Sequence, residues 1–339
     1  MKIVHLMVLE KFIPSFIKFI NDHFNPEEHL FIIFGKPRTK YGMDIKVKNV
    51  LWLDSKWKIF DLLKFLYSAN KIIIHGLWVE KLNQLLFIQP WLLKKCYWVM
   101  WGGDFYFPQK QSKIKKELIK KIRHVVTYID GDVDYIKENY GANPVYHKCF
   151  MYLSNIFDEN RYQKCEKINK NELWILIGNS ADETNRHEFV FSKLKKIKNE
   201  KIKLIVPLSY SGGEEYKSKV IEIGKKEFGE RFVPLTKFLS YEEYLNILYN
   251  VDIAIFAHNR QQGMGNTIQL LGLGKKVYLN RDTSQWRLFE DLGIKVYDVN
   301  GEIDLSINNE ELENNKELIK NFFSEKNLIS QMKEIFRYE

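Results

Sequence analysis

Apolar positions along this 339-residue chain alternate between short continuous runs and helical spacings, and that rhythm fills nearly the whole length. In the first half, strand-like runs lie at 3–8, 30–34, 72–75, 97–101 and 125–128, with helical patterns at 12–24, 57–69 and 113–124. Strand and helix in alternation predict βαβ units and a mostly parallel sheet. Over 150–170 the pattern lapses into a polar stretch containing Asn and Lys, the best domain boundary. It then restarts with strands at 173–177, 203–207, 231–234, 253–257, 276–279 and 295–298. Helices are expected at 183–196, 214–228, 241–249 and 266–273, and a helical tail runs from about 310 to 336. The pattern predicts an α/β protein of two successive Rossmann-like, doubly wound domains, 1–155 and 165–310. Residues 311–339 form a helical tail expected to pack back on the first domain.

Composition narrows the possible partners. The length suffices for two cores, and 45% hydrophobic with 28% charged residues is a globular balance. A net charge of +9, carried mainly by lysine, favours anionic partners: nucleotide phosphates, lipid headgroups or nucleic acid. No zinc-ligand spacing or RNA-binding aromatic segment accompanies the charge, so nucleic acid is set aside. Three widely spaced cysteines, Cys96, Cys149 and Cys165, fit a reducing cytoplasm. The N-terminal apolar run is short and lacks a cleavage region, and no run approaches a membrane span, so the expectation is a cytoplasmic protein, peripheral at most.

The densest chemistry lies at 251–281. A buried strand enters a polar loop with His258, Arg260, Gln261, Gln262, Gly263 and Gly265, followed by Asn266, Thr267 and a helix. Glycines permit close backbone approach, free N–H groups at a helix N-terminus point at an anion, and Arg260 adds a planar fork of donors. The same strand-to-loop punctuation recurs at Gly178-Asn179-Ser180 and at Pro207-Leu208-Ser209-Tyr210. Asn179 and Ser180 also read as a simple helix cap, with Asp182 and Asn185 as solvated residues of the same turn. Lys237 and Phe238 precede the helix at 241; Phe238 reads either as a stacking ring or as core.

Four segments, Trp101-Gly102-Gly103-Asp104-Phe105-Tyr106, Ile177 to Asn185, Val206 to Tyr210 and Arg260 to Thr267, occur in an order and spacing that resembles the bacterial N-acetylfucosaminyltransferases of enterobacterial common antigen synthesis, glycosyltransferase family 56. The resemblance spans roughly residues 70–290, with Gly103 standing where the family pattern has alanine. It implies a GT-B fold, two Rossmann-like domains facing across a cleft. It also implies transfer of an amino-dideoxy sugar from a dTDP-linked donor to a polyprenyl-diphosphate-linked saccharide at the cytoplasmic face of the inner membrane. On this reading the first domain takes the acceptor. The second takes the donor, through Gly178, Asn179, Ser180, Ser209, Tyr210, Lys237, Phe238, Arg260, Gln261, Gln262, Gly263, Gly265, Asn266 and Thr267. No cofactor or metal is expected: Asp132-Val133-Asp134 has the letters of a metal motif but reads as a turn capping a helix.

An inverting transfer needs a general base in the first domain. Asp104, displayed after two glycines, and His75, ending a strand before Gly76, are the candidates, with Asp104 preferred. The lysine-rich helix at 113–124 and the Trp-containing stretch 78–93 are candidate membrane-facing segments, each equally readable as ordinary surface or core. A nucleotide-sugar epimerase of the same architecture and a non-catalytic nucleotide-sugar-binding subunit remain as alternatives.

Overall fold

The computed structural model describes residues 3–44, 46–55, 58–197 and 201–337. It divides into two compact units, one formed by residues up to Ser154 together with those from Glu325, the other by Asn155–Ser324.

In the first unit the chain runs β1 (Ile3–Val8), α1 (Ile13–His23), β2 (His29–Phe34), β3 (Val50–Leu53), α2 (Ile59–Ser68), β4 (Lys71–His75), α3 (Glu80–Ile88), β5 (Cys96–Val99), α4 (Lys113–Lys121), β6 (His124–Thr127), α5 (Asp130–Tyr140) and β7 (Val145–Lys148). The strands form one parallel sheet in the order β3-β2-β1-β4-β5-β6-β7. Strands covered on both faces need no polar alternation, and β1, Ile-Val-His-Leu-Met-Val, is buried over its first five residues. Leu62 and Leu66 of α2, Leu82 and Leu86 of α3, Leu118 and Ile119 of α4 and Val133 and Ile136 of α5 share one hydrophobic core on the sheet. Both β3 and β7 escape the sequence pattern because each is four residues long and lies at a sheet edge.

The second unit repeats the plan with β8 (Leu173–Ile177), α6 (His187–Leu194), β9 (Ile202–Pro207), α7 (Glu214–Phe228), β10 (Phe232–Leu235), α8 (Tyr241–Asn250), β11 (Ile253–Phe256), α9 (Met264–Gly272), β12 (Lys276–Leu279), α10 (Ser284–Asp291), β13 (Tyr297–Asp298) and α11 (Asn309–Phe322). Its parallel sheet has the order β10-β9-β8-β11-β12-β13. Local chemistry sets the helix ends: a reciprocal capping box of Ser240 and Glu243 starts α8, which accounts for Glu243 without a ligand. The expected single tail is two helices belonging to different units. The first, α11, packs on α9, whereas α12 (Glu325–Phe336) joins the first unit, where Phe336 packs edge-on against His5 and His29.

The core under α12 contains a line of imidazoles. Nδ1 of His5 lies 3.1 Å from Nε2 of His75, and Nε2 of His5 lies 3.0 Å from Nδ1 of His29. Nδ1 of His75 lies 2.7 Å from the Tyr152 hydroxyl, which accepts the Trp101 indole N–H at 2.8 Å. With the Tyr152 hydroxyl donating to His75 Nδ1, every imidazole down the line is neutral and protonated on Nε2. Burial holds all three neutral: it pushes His29 down to about 4, His75 to about 3 and His5 well below its usual value. Because these folded-state values lie below the unfolded 6.5, their stabilisation is complete above that pH and is lost as pH falls toward 4. The buried Asp104 carboxyl, raised by desolvation, acts in the opposite sense. Urea midpoints should therefore be level above pH ~7 and fall between about pH 6.5 and 4.5, by up to about 1.4 kcal/mol per pH unit for each proton taken up. Stability flat across that interval would contradict the neutral line.

Candidate active site

In the second sheet the chain leaves β8 for β9 on one side and β11 for β12 on the other, so direction reverses between two neighbouring strands. Loops leaving their C-terminal ends part at that point, and open α/β sheets bind ligands in the crevice that results. The sequence clusters 178–186 and 257–263 are these two loops.

Asn185, expected to be a solvated turn residue, is fully buried and ties the loops together. Its Oδ1 accepts the Asn179 N–H at 2.9 Å and the His258 Nε2–H at 3.0 Å. Its Nδ2 donates to Ser180 Oγ at 3.0 Å and to the Asp182 carbonyl at 2.9 Å. All four bonds of one amide are thus used, which also fixes the His258 tautomer and leaves its Nδ1 buried without a protein partner. Gly178 takes φ +66°, and a Cβ there would stand 2.7 Å from Asn185 Oδ1 and 2.8 Å from His187 Nε2, so the position requires glycine.

A second layer of bonds lies above this. Thr184 Oγ1 lies 2.5 Å from Asp182 Oδ1 and 2.7 Å from Gln262 Oε1, sharing its one proton between them, and Gln262 Nε2 donates to Asn179 Oδ1 at 3.0 Å. Gln262 therefore braces the two loops. Helix α9 begins at Met264, two residues earlier than expected, with Gly263 as its left-handed N-cap. Gly265 and Asn266 consequently lie in the first turn, where backbone N–H groups have no intrahelical acceptor. The Asn266 side chain itself is held by the Tyr244 hydroxyl at 2.8 Å. Thr267 does not fit its expected contact with an anion. It is fully buried, its N–H bonds the Gly263 carbonyl at 3.0 Å, and its hydroxyl joins that carbonyl to Gln285 Nε2. Thr184, Asn185 and Gln285 are the contributors that sequence reasoning missed. Their short polar side chains resemble any turn or cap, and only the meeting of distant loops reveals them.

Arg260 is half-buried, with one guanidinium nitrogen 3.0 Å from the Gln261 carbonyl. Its charge reaches both acidic and basic neighbours. Burial raises the Asp182 carboxyl, but hydrogen bonds from Thr184 and the Arg260 charge outweigh that and hold it below its usual value. Burial, and next the Arg260 charge, push His258 down to about 3. The Arg260 cation, the neutral His258, the Asp182 carboxylate and the first turn of α9 thus share one corner.

The loop after β9 docks on the same corner, with the Ala181 N–H bonded to the Tyr210 carbonyl at 2.9 Å. Ser209 is half-buried and Lys237 exposed. Tyr210 and Phe238 are both exposed, with ring centroids 6.4 Å apart and nearly perpendicular. Phe238, at 67% exposure, is not core.

The first unit alters two expectations about acid–base groups. Asp104 is not displayed. It is fully buried, its Oδ2 accepts the Trp98 indole N–H at 2.8 Å and the Leu77 N–H at 3.0 Å, and its Oδ1 accepts the Trp101 N–H at 3.1 Å. Such a carboxylate pins the loops after β4 and β5 together; it has no face open to a substrate hydroxyl. His75 is likewise buried, with both ring nitrogens engaged in the imidazole line. Asp132 and Asp134 lie inside α5, not in a capping turn, and Asp132 is buried against the Tyr106 hydroxyl at 2.6 Å.

A family model described as 4-alpha-L-fucosyltransferase, glycosyl transferase group 56, matches residues 61–328. The chain belongs to glycosyltransferase family 56. It is an enzyme that transfers a sugar, built on the GT-B fold. That fold is shared with HepE of Anabaena in complex with UDP (12% identity, 99% of each chain covered, TM-score 0.74). A glycosyltransferase from Rickettsia africae is similar at 15% identity over 98% of this chain and 97% of its own, with a TM-score of 0.69. An Escherichia coli trehalose-6-phosphate protein bound with UDP-2-fluoro glucose gives 11% identity, 98–99% coverage and a TM-score of 0.67. Family membership gives the loops at the strand reversal a chemistry to serve, and their bracing residues then become testable. Replacing Asn185 by Ala strands the His258 Nε2–H and the Asn179 N–H, and should lower stability by about 2–4 kcal/mol in urea unfolding. Equal midpoints for Asn185→Ala and wild type would remove Asn185 as the tie between the loops.

Proposed function

We propose that this transferase moves an amino-dideoxy sugar of the N-acetylfucosamine type from a dTDP-linked donor onto a polyprenyl-diphosphate-linked saccharide. The reaction would serve cell-surface polysaccharide synthesis at the cytoplasmic face of the membrane. The second unit takes the donor and the first takes the acceptor. The carrying observation is the strand reversal, where the Arg260 charge reaches Asp182 of the β8 loop and α9 begins directly after the β11 loop.

Departure of a nucleoside diphosphate leaves negative charge that fixed donors must stabilise as it develops. Arg260 and the N–H groups of Gly265 and Asn266 supply such donors without a divalent ion. Tyr210 and Phe238, exposed aromatics on neighbouring loops, suit the flat face of a pyrimidine. Lys237, beside them, is free to meet the nucleotide's outer edge. HepE in complex with UDP and with UDP-glucose, a neighbour in fold, supports a nucleotide-sugar donor as the class.

Two measurements follow. In thermal-shift titrations dTDP should raise the melting temperature more than UDP or GDP at equal concentration, with a Kd-governed stabilisation of about 2–3 kcal/mol near a hundredfold excess over Kd. An equal or larger shift from GDP would contradict the donor class. Arg260→Ala should lower kcat/KM for sugar transfer by about 10²–10³ with the fold intact, and unchanged turnover would remove the diphosphate assignment.

A further inference from the structure

The excess positive charge of this chain is not spread over it. Residues 58–123 hold 13 Lys and Arg against 4 Asp and Glu, a net of +9, and the rest of the sequence balances at 39 against 39. The whole formal excess therefore lies in the segment that forms α2, α3, β4, β5 and α4 of the first unit. Of the 4 acids there, Asp104 is buried within its own hydrogen bonds, Glu80 is engaged by Ser112 and Asn83, Glu117 lies 3.9 Å from the Lys121 ammonium, and Asp61 is exposed on α2.

The same segment carries large apolar side chains that the core does not use. Phe60 and Ile88 are each 70% exposed and Trp91 is 54% exposed, with Tyr67 and Phe87 also open. They are neighbours on one outer surface. Helices α2, α3 and α4 bury their inner faces in a common core, so their outer faces lie side by side. On α2, Phe60, Lys64 and Tyr67 follow helical spacing on the exposed side. The Tyr67 hydroxyl bonds Gln89 at 2.9 Å and accepts the Trp91 indole N–H at 3.2 Å, joining α2 to the turn after α3. The Lys121 ammonium of α4 stands 5.5 Å from the Phe87 ring centre, joining α4 to α3. Lys94 is exposed on the same turn as Trp91.

Apolar and aromatic side chains edged by lysines that outnumber the carboxylates match the boundary between acyl chains and acidic headgroups. We propose that the outer face of α2, α3 and α4 is a docking surface for an anionic lipid bilayer. Phe60, Ile88 and Trp91 enter the headgroup boundary, and Lys64, Lys94 and Lys121 meet lipid phosphates. At the other end of α3, Trp78, itself 40% exposed, packs 5.7 Å from Trp101 at the C-terminal edge of the sheet, and the exposed positions between it and Phe87 are Glu80, Lys81 and Gln84. The proposal deepens the reading above by naming the surface that meets the membrane, yet the binding it predicts needs neither nucleotide nor saccharide.

Vesicle co-sedimentation of the full chain tests it. Wild type should pellet with phosphatidylcholine vesicles containing about 30 mol% phosphatidylglycerol, bind pure phosphatidylcholine at least about tenfold more weakly, and lose binding as salt shortens the Debye length. The triple variant Phe60→Ser, Ile88→Ser, Trp91→Ser and the separate variant Lys64→Gln, Lys94→Gln, Lys121→Gln should each weaken anionic-vesicle binding by about tenfold or more. Both should keep the wild-type dTDP thermal shift, which reports folding and the donor site independently; Ile88→Ser alone serves if the triple variant unfolds. Absence of wild-type binding to anionic vesicles, or variants that bind as wild type does, would overturn the proposal. So would a wild-type dimer that the serine variant dissociates, since the face would then belong to a second copy. Loss of the dTDP response alone would count against the donor reading and leave the docking surface standing.

Discussion

In the second unit β8 and β11 are hydrogen-bonded neighbours, but the chain leaves them in opposite directions. Everything proposed for the donor depends on that reversal. Two loops that separate at a strand edge cannot cover each other's backbone polar groups, and each buried group left unpaired would cost about 1–3 kcal/mol. Asn185 resolves this by giving two bonds to one loop's backbone and hydroxyl while receiving the histidine of the other. The same amide also accepts the Asn179 N–H, so one side chain links both loops.

Much of this architecture is legible in the residue pattern because continuous apolar runs bounded by glycine are hard to read otherwise. The bounds of β1, β8, β12 and α7 match the expected residues throughout. Edge strands β3 and β7 do not announce themselves, since an edge needs neither full burial nor length. Helix α9 starts early because Gly263 adopts a left-handed cap, a conformation that glycine permits and that no spacing rule reveals.

The meeting of the loops at 178–186 and 257–263 is legible in the sequence, and the partners of their side chains much less so. Gly263 lies beside Asn179 and His258, and Gly178 beside Asn185, whereas Thr267 and Gln262 brace the structure. The acid–base candidates failed for a specific reason. A residue after a strand and two glycines looks exposed in sequence, but three N–H donors from three positions fold over the Asp104 carboxylate and bury it. Such long-range satisfaction of a polar group leaves no local signal. The same holds for His75, whose partners His5 and Tyr152 lie 70 and 77 residues away.

The central claim is that the donor diphosphate lies at the reversal between β8 and β11. A crystal structure with a nucleoside diphosphate bound tests it most directly. The account predicts phosphate oxygens within hydrogen-bond reach of the Arg260 guanidinium and of the N–H groups of Gly265 and Asn266. The Asn185 network should be unchanged. A diphosphate seated anywhere else, with Arg260 making no contact to it, would contradict the account.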